Sequence, residues 1–76
     1  MTKHQQLEIL TDQIENAESV MAQLEKMPSA VRLVSYEISG MITLANALGI
    51  IDDEKREEME EDNENYLYQL TNEEKN

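Results

Sequence analysis

The segment Asp52 to Leu70, DDEKREEMEEDNENYLYQL, holds nine acidic side chains in its first thirteen residues. Carboxylates at that density can ligate metal, work as acid–base groups, or present negative charge to a basic surface. The metal reading fails on spacing. Asp62 and Glu64 to Glu73 place acids at the first, third and twelfth positions of a calcium-loop pattern, but Tyr66 and Leu67 stand where that loop needs an oxygen ligand and a glycine. No specific metal ligands are assigned, and divalent ions would associate with such a face only loosely. The acid–base reading lacks partners. His4 is the only histidine and lies near the N-terminal end, there is no cysteine, and no Ser–His–Asp or Cys–His arrangement can be assembled. Gly40 and Gly49 are the only glycines, so no glycine-rich loop can cradle a phosphate. No catalytic residue and no cofactor site are read, and the chain is expected not to be an enzyme.

What remains is charge. The 76 residues carry a formal net charge of −11. Six acids and three bases lie in residues 1–51, and eleven acids and three bases lie in 52–76. A surface so negative repels phosphate, which argues against direct binding to DNA, RNA or an anionic membrane and favours a basic protein surface. No apolar run approaches the ~20 residues needed to cross a bilayer. The opening MTKHQQLEIL lacks the apolar stretch of a secretory leader, so a cytoplasmic setting is expected. With no disulfide, Phe or Trp, a single small domain has little to bury. Self-association is the usual remedy, and a homo-oligomer, preferably a dimer, is expected.

The elements that must position these groups are three helices, in one domain over residues 1–70 with a loose tail at 71–76. Thr2 and Gln5 fit a capping box. Behind them Leu7, Leu10, Ile14, Ala17, Met21 and Leu24 recur at alternating three- and four-residue spacings, predicting a helix over about 3–27. Pro28 ends it and opens or precedes the next, over about 29–48, which must fold back as an antiparallel hairpin because the connection is short. Gly49 can take the left-handed position after that helix, and Asp52 or Asp53 can cap a third over about 53–70.

The second helix is apolar over more than half its circumference, along Val31, Val34, Ile38, Met41, Ala45, Leu48 and again along Leu33, Gly40, Leu44, Ala47, Ile51. It needs cover on two sides. Its oligomer-forming side is assigned to Val34, Glu37, Ile38, Met41, Leu44, Ala45 and Leu48. Gly40 costs about 1 kcal/mol against Ala inside a helix, and either close packing or simple tolerance explains it. Glu37 falls between the two apolar seams. It either reaches water at a bundle edge or pairs with Arg32 or Lys26 across a subunit interface and fixes register. The remaining arc, with Arg32, Ser35, Ser39, Thr43 and Asn46, is polar but almost uncharged.

On the third helix Glu54, Glu57, Glu58, Glu61 and Glu64 share one face, while Met59, Tyr66, Leu67 and Leu70 fall roughly opposite. The fold expected is therefore all-α: an antiparallel hairpin plus an acidic third helix, assembling as a dimeric bundle. The function expected is a non-catalytic interaction module, an adaptor or inhibitor, whose glutamate face meets a basic partner. Tyr66, Leu67 and Leu70 form a second candidate contact, since aromatic anchors in a charged surround are common at interfaces. Two alternatives stand beside it: an oligomerisation module whose acids serve solubility, and an inhibitor imitating nucleic acid by carboxylate spacing.

Overall fold

A computed structural model describes residues 1–71 of the chain, so residues 72–76 of the proposed tail lie outside the described residues. They form three helices, α1 (Lys3–Gln23), α2 (Pro28–Ala47) and α3 (Asp53–Thr71), and there is no strand among the described residues. Each boundary has a local cause. At α1 the Thr2 hydroxyl accepts from the Gln5 amide at 3.1 Å while the Thr2 amide donates to the Gln5 side chain at 2.9 Å, closing the capping box. Helix α1 stops at Gln23, four residues short of the Met27 read from the sequence. Met27 precedes proline and is held at φ −125°, ψ 78°, outside the helical region. The chain reverses over Leu24 to Met27 in a tight turn closed by the Met27 amide on the Leu24 carbonyl at 2.7 Å.

The turn into α3 is a Schellman motif. Gly49 sits at φ 76°, its amide donates to Asn46, and the Ile50 amide reaches back to Ala45 at 2.9 Å. Asp52 then caps α3, its carboxylate accepting from the Lys55 amide at 2.8 Å. The far end of α3 includes Thr71, which the sequence reading had left to the loose tail; its hydroxyl donates to the Leu67 carbonyl at 2.8 Å.

Helix α2 lies in the middle, with α1 against one flank and α3 against the other. Leu10 near the start of α1 lies beside Ala45 near the end of α2, and Asn63 of α3 reaches Ser35 of α2, so successive helices run in opposite senses. The core is small: Leu10, Met21, Val31, Ile38, Ile42, Ala45 and Ile51, with Leu7, Ile14, Ala17, Leu24, Met59 and Tyr66 among the half-buried groups around it. The inward row of α2 is Val31, Ser35, Ile38, Ile42 and Ala45, at spacings of four, three, four and three. The backbone spans 38 × 25 × 13 Å. Both neighbours pack towards the inward row of α2 and meet each other where Tyr66 reaches Glu18, so the outer face of α2 is left uncovered.

Candidate acidic interface

What fixes the glutamates of α3 is the seam on its opposite side, and that seam is polar. Asn63 is buried and makes a reciprocal pair with Ser35: the Ser35 hydroxyl donates to Asn63 Oδ1 at 3.2 Å and Asn63 Nδ2 donates to the Ser35 carbonyl at 3.0 Å. One turn away the Ser39 hydroxyl lies 2.9 and 3.0 Å from the two oxygens of Glu60. At the loop end Asn46 Nδ2 donates to the Ile51 carbonyl at 3.2 Å and to Asp53 Oδ1 at 3.1 Å. These three α2 positions, 35, 39 and 46, belong to the almost uncharged polar arc of the sequence, whose Thr43 is exposed instead. Their partners at 63, 60 and 53 descend at nearly matching intervals, as an antiparallel pairing requires. Sequence reasoning passed over the seam; the matched polar spacing on two successive helices was the signal available.

With that side held, Glu54, Glu57, Glu58 and Glu61 are exposed. Glu64 is half-buried and accepts a hydrogen bond from the Tyr68 hydroxyl at 3.1 Å. Two bases reduce the field locally: Lys55 Nζ lies 3.2 Å from Glu58, and Arg56 lies 3.8 Å from Glu57. Both are exposed or half-exposed contacts, worth about 0–1 kcal/mol each. The other proposed contact group is turned inward. Leu67 and Leu70 are half-buried against the core, and the Tyr66 hydroxyl donates to the Glu18 carbonyl of α1 at 3.3 Å. Between α2 and α3 an open cleft of about 260 Å³ is lined by Tyr36, Ser39, Glu60, Glu64 and Tyr68.

Of the positions assigned to an oligomer-forming side, Ile38 and Ala45 are buried in the chain's own core and Val34 and Met41 are half-buried beside it. Glu37, Leu44 and Leu48 are exposed on the outer face of α2. His4 lies 2.9 Å from Glu8 at the exposed start of α1. Among the described residues no three His, Asp or Glu side chains gather as a metal site. No described helix is long and apolar enough to cross a membrane.

The carboxyl of Glu18 is perturbed. Burial, then the neighbouring charges of Glu15 and Asp62, raise the Glu18 carboxyl above its ordinary value. Glu18 is therefore where α1 and α3 bring like charges together, next to the Tyr66 hydrogen bond.

Compared with protein-family models, curated proteins and solved structures, the chain has no match in any of the three.

Proposed function

We propose that this chain is a non-catalytic protein–protein interaction module, an adaptor or inhibitor, whose α3 presents negative charge to a basic protein surface. The observation that carries the reading is the exposed set Glu54, Glu57, Glu58 and Glu61 on a helix whose other side is hydrogen-bonded to α2. A carboxylate array on a fixed helix keeps its spacing, so a partner with matching Lys and Arg meets it without ordering it first. The Tyr66–Leu70 group contributes by docking α3, since its apolar surface faces the chain's own core. The cytoplasm is the setting that goes with this reading. Exchange of Glu57, Glu58 and Glu61 for Gln tests it. Binding of basic partners at physiological salt should fall at least tenfold while the helical circular dichroism stays unchanged; binding that survives the triple exchange refutes it.

A second reading is an oligomerisation module, in which two copies pair through α2 into a bundle. The exposure of Leu33, Tyr36, Leu44 and Leu48 favours it. The two readings are compatible, because the acidic and apolar faces lie on different helices.

A further inference from the structure

The outer face of α2 is a feature that the acidic interface leaves unused. Leu33, Tyr36, Leu44 and Leu48 are 63%, 67%, 60% and 66% exposed, on a helix whose inward row is the core of the molecule. Gly40 and Ala47 lie exposed among them. On a helical projection these six residues form one continuous arc, opposite Val31, Ile38 and Ile42. Glu37 is the only charge within it.

Gly40 has no role inside the single chain. Its backbone is not in the left-handed region, and a Cβ built on it meets nothing within 4 Å. A residue that weakens the helix, answers no turn and clears no neighbour of its own chain stands at the centre of the uncovered arc. Removal of a side chain there lets another backbone approach.

We propose that a second copy of this chain covers this face, the two α2 helices crossing antiparallel with Gly40 against Gly40. The proposal deepens the pairing reading above and is independent of the basic partner. Two observations select a second copy. The arc is nearly uncharged in a chain of net charge −11, so a basic partner gains little there, whereas the same neutral arc on another copy matches it. Its four large apolar side chains, each 60–67% exposed, offer much of the ~800 Å² per partner that a specific interface buries. Orientation follows from Glu37. A parallel pair would place one Glu37 against the other, whereas an antiparallel crossing at Gly40 sets it opposite Thr43 and Leu44 and brings Leu33 to Ala47 of the second copy.

The absence of cysteine makes the geometry directly readable. Leu33→Cys and Ala47→Cys, each exposed, are prepared separately, checked for helix content, and oxidised alone and as a mixture. The crossing predicts a cross-linked species in the mixture that joins position 33 to position 47. Neither variant should link efficiently alone, since the two copies of position 33 would lie about 20 Å apart along the axes. Sedimentation of the unmodified chain should give twice the 8.8 kDa of one chain, falling to one chain in Leu44→Glu with helicity retained. Efficient linkage of Leu33→Cys with itself, no linkage in the mixture, or a dimer that resists Leu44→Glu overturns the Gly40 crossing, while pairing through another face survives. A single-chain mass for the unmodified protein overturns both.

Discussion

Asn63 and Ser35 hold α3 to α2 by exchanging two hydrogen bonds, one from the Ser35 hydroxyl and one from the Asn63 side-chain amide. Twenty-eight residues separate them, and both are buried. An apolar pair could slide by a turn with small loss, whereas this pair has one geometry that satisfies both partners. The pair therefore sets the rotation of α3, and with it the direction in which Glu54, Glu57, Glu58 and Glu61 point.

Replacing Asn63 by Ala leaves the Ser35 hydroxyl buried without its partner. The expected loss is roughly 1–3 kcal/mol in chemical denaturation. Ser35→Ala combined with Asn63→Leu should recover much of that loss, because no buried polar group is then stranded. A double-mutant cycle measures the coupling; additive effects would show that the two side chains do not act as a pair.

Met21 is fully buried where α1 meets the middle helix, and Met27 is mostly exposed in the turn. Met21→Ala should lower stability by about 2–5 kcal/mol, enough to unfold much of so small a domain. Met27→Ala should change it by no more than about 0.5 kcal/mol. Thermal melts of the two variants make the comparison.

Gly49 and Gly40 respond differently to Ala. Gly49 is at φ 76° and closes the turn before α3, so Gly49→Ala should cost about 1–2 kcal/mol. Gly40→Ala meets no steric obstacle within one chain and should raise the stability of α2 by up to about 1 kcal/mol when chains are separated by dilution. Melting curves recorded across a dilution series distinguish the two positions.

Glu18 links stability to pH. Its carboxyl is raised by burial first and by Glu15 and Asp62 next, so the folded chain holds this proton more tightly than the unfolded chain does. Its contribution is complete below the ordinary carboxylate value and is lost as pH rises through the raised one. Glu18→Gln should therefore be the more stable protein at neutral pH. Removal of the Glu15 repulsion alone is worth roughly 0.2–0.5 kcal/mol. The advantage should shrink as pH falls, and denaturation midpoints for both proteins from neutral to acidic pH check the sign.

Much of this architecture is legible in single residues. The Thr2–Gln5 box, Pro28, Gly49 and Asp52 each act on their own backbone, so their effect can be read without knowing what packs nearby. The alternating seam of α1 is equally plain, since Leu7 to Leu24 are the inward residues and most of their neighbours are polar. Helix α2 is harder because it is apolar on opposite sides. Periodicity then shows that the helix is amphipathic in two directions without choosing the inward one. Ile42, fully buried, belonged to neither seam read from the sequence, and Ser35 interrupts the true inward row. That row becomes visible only when Ser35 is matched to Asn63 on a different helix. The acidic face of α3 needed no such match, because Glu54, Glu57, Glu58 and Glu61 are sorted within one element.

The measurement that reaches the central claim most directly is the affinity of a captured basic partner as a function of salt, taken for the unmodified chain and for the Glu57, Glu58 and Glu61 to Gln variant. The account predicts that affinity for the unmodified chain falls steeply as salt rises, and that the variant binds more weakly with a shallower dependence. Equal affinities and equal salt dependence in the two proteins would contradict it.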